Sequence, residues 1–237
     1  MKVIDILDSK VIVPVAMKYL ILFLLSMAIN SPAFAAPRSE ASPVKITYTK
    51  EIFQNSALLF EVHHGAGSFG KAMAMNVSYE PVKRIREQVE QNIGYKLKIF
   101  TGWNATGEAH ITTITPPEFT NIFSTYVTIQ EIDNIARANN IQDADLRVDG
   151  LGRGVVVINN RQEETYFILV HSEKLLKIRR EIWKLLVSRG GDPKSFDADH
   201  FYPHITLGFT LRDLHESDGV LKDRQHSLDQ RFNLELE

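Results

Sequence analysis

The sequence predicts an α+β fold made of two quasi-equivalent halves. Three observations carry this. The order strand, helix, loop, strand reads twice, over about Lys71 to Ile114 and again over about Thr165 to Phe209. Each unit closes on the same tripeptide, His110-Ile111-Thr112 and His204-Ile205-Thr206. Beyond that tripeptide the halves share pattern and little identity, as in a weak internal repeat.

Composition sets outer limits. The chain has 237 residues, 44% hydrophobic and 24% charged, enough for one sizeable domain or two small ones. A formal net charge of −2 is not the footprint of a protein that coats long nucleic acid. A small anionic substrate, or an oligonucleotide end, fits it. With no cysteine, disulfides, thiolate-held zinc, a thiol nucleophile and a lipoprotein anchor are all excluded.

Residues 1–35 read as a secretory signal peptide. Met17-Lys18 precedes an apolar run, Tyr19 to Ile29, and Ala33-Phe34-Ala35 supplies a cleavage site. The run is shorter than the roughly 20 residues a membrane span needs. Translation is expected to begin at Met17. The mature protein is then soluble, exported to the periplasm or beyond, and a monomer. Residues 36–70 form a linker and N-terminal extension. In it, Ile52, Phe53, Leu58 and Phe60 can pack, and Gly65, Gly67 and Gly70 close a loop.

The domain proper is expected over 71–210. Met73, Met75, Val77 and Tyr79 alternate as in a half-buried strand. Pro81 suits the first turn of a helix, Val82, Ile85, Val89 and Ile93 recur at helical spacing, and Gly94 supplies the stop. A loop around Asn104 leads to the strand Ala109–Ile114, which Pro116-Pro117 ends. Thr128 and Glu131 form a capping box for a short helix with Ile132, Ile135 and Ala136. Leu146 to Ile158 reads as strand or hairpin broken by Gly150, Gly152 and Gly154, and Thr165–Val170 as a strand. Ser172 caps a helix lined by Leu175, Ile178, Ile182, Leu185 and Leu186, which stops at Gly190-Gly191. Phe201 to Phe209 is the second His-Ile-Thr strand. Residues 211–237 are charged and aperiodic until Phe232, and read as a surface or partly disordered tail.

In a strand, residues i and i+2 point the same way. Each motif therefore aims one imidazole and one hydroxyl at the same side of a sheet. Metal-free hydrolysis of a phosphodiester needs a base, an acid, and donors that steady charge on the phosphoryl oxygens. Two histidines and two threonines can supply all of these. Tyr202 falls two residues before His204, where it can stack on a base or bind phosphate. Glu108 is the equivalent neighbour of His110, and Gly208 leaves the cleft floor open.

These residues resemble the two-histidine (2H) phosphoesterase superfamily, whose signature is a pair of His-hydrophobic-Thr/Ser-hydrophobic motifs. The second motif here, Tyr202-Pro203-His204-Ile205-Thr206-Leu207-Gly208, is similar to it throughout, and Val148–Gly152 with the following strand looks like its middle region. Thr113 departs from the usual apolar residue. The resemblance covers about Lys71 to Thr210. It implies a bilobal α+β fold, two pseudo-symmetric antiparallel sheets with outer helices around a central cleft. It implies cofactor-free hydrolysis of 2′,3′-cyclic phosphate or 2′–5′ bonds in nucleotides or RNA ends, as in the bacterial cyclic phosphodiesterases also called 2′–5′ RNA ligases. His110 and His204 then form the acid–base pair, Thr112 and Thr206 bind phosphate, and no residue is a metal ligand. Two other readings stand beside it. A zinc hydrolase is one, since His200 and His204 are four apart and His63-His64 offer more ligands, although Pro203 argues against a helix there. A non-catalytic nucleotide-binding module is the other.

Overall fold

Seven strands and five α-helical segments run through residues 42–61, 71–101 and 107–237, the residues that the computed structural model describes. The leader with its Met17 start, His63-His64, the glycine loop up to Gly70 and the Asn104 loop lie outside the described residues. No helix among the described residues is long and apolar enough to cross a membrane.

The strands are β1 (Val44–Tyr48), β2 (Met73–Asn76), β3 (His110–Ile114), β4 (Arg147–Ile158), β5 (Arg161–His171), β6 (His204–Phe209) and β7 (Phe232–Leu236). The helices are α1 (Tyr79–Ile93), α2 (Pro116–Glu118), α3 (Ile129–Ala138), α4 (Glu173–Ser188) and α5 (Arg224–Ser227). The fold is α+β, with antiparallel sheets and packed helices. β2 pairs antiparallel with β3, and β4, β5 and β6 form a second antiparallel sheet. A parallel pair, β1 with β7, is an addition that the sequence pattern did not announce.

Most boundaries follow local chemistry. Gly94 ends α1 at φ 82°, with its N–H on the Glu90 carbonyl at 3.0 Å. Thr128 and Glu131 close the expected capping box on α3, and Ser172 caps α4 by accepting from the Leu175 N–H. Tyr79, read as the end of a strand, is instead the first residue of α1. The glycine-broken stretch is one twelve-residue strand, β4, turning into β5 through Asn159 and Asn160. Both asparagines have positive φ, 51° and 61°, as a tight two-residue hairpin requires.

One core unites both halves. Ile111, Ile114, Ile168, Ile205 and Leu207 are buried in it with the inner faces of α1, α3 and α4. The packing is crossed. α1 of the first half lies against β6 of the second, and α4 of the second lies against β3 of the first. β3 and β6 are themselves neighbours.

The tail differs from expectation. Leu214, Val220, Asp213 and Lys222 are buried, and β7 pairs with β1. This segment covers the face of β4 and β5 that is turned away from the main core. A Cβ at Gly150 would meet Leu228, and one at Gly154 would meet Val220. Gly152 makes room for the Phe167 ring in the same way. Gly150 and Gly154, which looked like interruptions, therefore allow the C-terminal segment to seat closely. With both faces covered, Glu164 to Val170 is buried without a break. The charged tail reads as solvated because its buried charges are paired, and pairing across nine residues of irregular chain leaves no periodic mark.

Candidate active site

Strand alternation places the two motifs alike. In β3, Ile111, Thr113 and Ile114 are buried while His110 and Thr112 are half-buried. In β6, Ile205 and Leu207 are buried while His204 and Thr206 are half-buried. Ile111 and Ile205 enter the same core, so both His/Thr faces turn away from it.

Two connections tie the motifs together. The first is polar. Arg179 of α4, 2% exposed, donates to the Thr113 carbonyl at 2.7 Å in β3. It also donates to the carbonyls of Ala198 at 3.0 Å and His200 at 3.2 Å on the approach to β6, and to Glu118 Oε1 at 2.9 Å. Its guanidinium also lies 4.6 Å from the Phe196 ring and 4.8 Å from the Phe201 ring. The second is aromatic. Phe100 lies 5.6 Å from the His110 ring and 5.4 Å from Phe209 at the end of β6. Lys98 and Phe209 exchange backbone hydrogen bonds at 2.8 and 3.0 Å, which holds this link in register.

The second motif sits in a charged cluster. His204 Nδ1 lies 2.8 Å from the Tyr202 carbonyl. A carbonyl only accepts, so Nδ1 carries the hydrogen and the neutral ring presents its lone pair at Nε2. Lys222 Nζ is 3.1 Å from that Nε2 and 2.9 Å from each Asp213 carboxylate oxygen. Thr165 donates to Asp213 Oδ1 at 2.6 Å, and Thr206 donates to Oδ2 at 3.4 Å. Phe167 meets the His204 ring edge-on at 5.6 Å. Burial, and then the Lys222 ammonium, hold His204 well below the ordinary histidine range, so the ring is neutral at neutral pH. Burial opposes ionisation of Asp213, but the Lys222 charge outweighs it and keeps the carboxylate ionised.

The first motif is set differently. Glu108 Oε1 lies 3.5 Å from His110 Nδ1. The strand is entered through Gly107 at φ 111°, where a Cβ would strike the Tyr79 hydroxyl. Among the described residues, nothing hydrogen-bonds the Thr112 hydroxyl, which faces the same way as His110.

Two imidazoles and two hydroxyls thus stand on neighbouring strands, with proton donors and acceptors of opposite character around them. Residues 71–215 match the family model described as 2H-SAK, Swiss Army Knife, 2H phosphoesterase domain. The chain belongs to this 2H phosphoesterase family. Comparison with curated proteins and with solved structures found no match. Membership makes the chain a phosphodiesterase-type hydrolase in general terms.

Within this 2H phosphoesterase domain, Tyr202 lies just before β6, so strand alternation does not set its direction. Its ring packs on His200 at 5.0 Å, and its carbonyl is the part that touches His204. His200 and His204 do not share a helical face. His200 lies in irregular chain with Nε2 on Glu216 at 2.9 Å, and His204 opens a strand. Among the described residues, no group of three or more His, Asp or Glu side chains is placed to hold a metal ion. His63 and His64 lie outside the described residues. Sequence reasoning missed Asp213, Lys222, Thr165 and Arg179. A lysine and an aspartate in an aperiodic tail carry no local signal. Arg179 was legible only as a charge on the apolar side of α4, one residue from Ile178.

Proposed function

We propose that the protein hydrolyses 2′,3′-cyclic phosphate or 2′–5′ phosphodiester bonds of nucleotides or RNA ends, without a metal. His204 is the base and His110 the acid. The observation that carries this reading is the fixed tautomer of His204, whose Nδ1–H is bound by the Tyr202 carbonyl so that Nε2 can only accept. In the reaction, His204 Nε2 takes a proton from water as the water oxygen bonds to phosphorus. The bond from phosphorus to the leaving sugar oxygen breaks, and His110 gives that oxygen a proton. The Glu108 carboxylate supplies a counter-charge for the proton His110 carries. Thr112 and Thr206 donate to the non-bridging oxygens. The products are a phosphomonoester and a free hydroxyl, and solvent resets both imidazoles. The signal-like leader supports placing this activity outside the cytoplasm, which cell fractionation would test.

The decisive assay incubates the purified protein with a 2′,3′-cyclic mononucleotide and with a 2′–5′ dinucleotide. Turnover is expected to fall about 10³-fold in His110→Ala and in His204→Ala. Equal traces of product from wild type and both variants refute hydrolysis. Tight binding without turnover would make the protein a nucleotide-binding module instead.

A further inference from the structure

We propose that Lys222 is a further catalytic residue: it holds the Nε2 lone pair of His204 and exchanges that acceptor for a non-bridging oxygen of the incoming phosphodiester. Substrate binding then frees the base. This rests on the reaction proposed above and goes beyond the two motifs. Lys222 lies outside the residues that match the family model.

An ammonium has three N–H bonds and no acceptor. Two of those on Lys222 reach Asp213 Oδ1 and Oδ2 at 2.9 Å each. The third reaches His204 Nε2 at 3.1 Å, the atom that must take a proton in catalysis. While that contact holds, the lone pair is engaged and His204 cannot act. Lys222 is 5% exposed, and its ammonium sits 5.3 Å from the Phe167 ring centroid, beside the same histidine. Its position is therefore fixed by packing, not by a flexible surface stem.

A phosphodiester oxygen is anionic, and hydrogen bonds between charged partners are shorter and stronger than those to a neutral imidazole. An oxygen arriving beside Nε2 competes directly for the third N–H. The exchange needs no loss of the two Asp213 contacts. It also strengthens as negative charge grows on phosphorus, which is the condition for lowering a barrier instead of merely binding substrate. The charges balance through the step. Asp213 and Lys222 cancel, and the proton gained by His204 offsets the phosphoryl anion. Asp213 acts through Lys222 and is a positioning residue, as is Thr165, which donates to it at 2.6 Å. The charged and titratable groups around His204 are Lys222, Asp213 and, 3.9 Å from Asp213 Oδ2, His215.

The test uses the full chain and two readouts. One is NMR titration of the His204 ring with and without inorganic phosphate, its signals identified by their loss in His204→Ala. The other is kcat/KM for a 2′,3′-cyclic nucleotide against pH. Both are read in wild type, in Lys222→Met, and in Lys222→Met combined with Asp213→Asn. The double variant leaves no unpaired buried charge if the single one does not fold.

In wild type, phosphate is expected to shift the His204 signals and raise its pKa, because the lysine turns to the anion. In Lys222→Met that response disappears and kcat/KM falls about 10²-fold. The acid limb of the profile moves up by about one pH unit, since the neighbouring cation that disfavours protonation is gone and Asp213 remains. The double variant loses the phosphate response and the rate alike. A double variant that melts like wild type yet keeps the phosphate response and the rate overturns the proposal. So does a Lys222→Met protein faster than wild type, which would make the lysine an inhibitor. A wild type with a Lys222-dependent phosphate response but no turnover refutes the hydrolysis reading while leaving the phosphate contact in place.

Discussion

His110 has the Glu108 carboxylate 3.5 Å from its Nδ1, and His204 has the Lys222 ammonium 3.1 Å from its Nε2. The tripeptide is the same, the strand alternation is the same, and both isoleucines are fully buried in one core. What differs is the charge brought to each ring from outside its strand. Backbone geometry sets where an imidazole points, while its protonation is set by neighbours that the repeat does not contain. In the mechanism proposed above, a duplicated frame in this way holds one histidine to accept a proton and the other to give one. The hydroxyls differ in parallel. Thr206 donates to Asp213, whereas Thr112 has no hydrogen-bond partner among the described residues.

The largest expected effect separates the two rings by substrate. An aryl phosphodiester has a leaving group that departs without a proton, so it relieves the need for an acid but not for a base. On such a substrate, His110→Ala should recover most of its roughly 10³-fold loss and His204→Ala should recover little. Recovery by the His204 variant alone would reverse the assignment, and equal recovery would erase the contrast.

Next in size is the link between the halves. Arg179→Met removes the buried donor shared by the carbonyls of Thr113, Ala198 and His200, while Glu118 keeps its bonds from Thr115. Leaving buried carbonyls without their donor costs about 1–3 kcal/mol each. Denaturant unfolding should show that loss, and a change under about 1 kcal/mol would mean that each half holds its strand alone.

The smallest effect concerns the hydroxyls. Thr112→Val should cost about tenfold in kcat/KM, as loss of a hydrogen bond to a charged oxygen does. Thr206→Val should cost less, because Asp213 already draws on that hydroxyl. Equal losses, measured on one cyclic nucleotide, would mean that the two halves grip phosphate alike.

The parts of this molecule that were legible in its sequence are those governed by neighbours along the chain. Val82, Ile85 and Val89 mark α1, Gly94 ends it, and Ser172 starts α4, all by rules that act within a turn or two. The facing of His110 and Thr112, and of His204 and Thr206, follows from a period of two. The same rule stops at Tyr202, because the chain before β6 is not a strand and only its carbonyl meets the ring. Asp213 and Lys222 were out of reach for another reason. Hydrophobic pattern marks a buried residue only when burial is apolar, and these two are buried as a pair. Likewise, β1 and β7 are short, and pairing between distant segments leaves no trace in either alone.

The face of β5 that carries Phe167 and Leu169 is covered by residues made after both His-Ile-Thr strands. A growing chain that has emitted Thr206 but not yet Asp213 to Leu228 owns every group of both His-Ile-Thr motifs, with that apolar face open to water. Until the later segment arrives, the nascent protein is exposed to sticking to other chains, as partly folded intermediates are. Synthesis thus delivers the two imidazoles first, and the lysine that contacts one of them arrives with the cover.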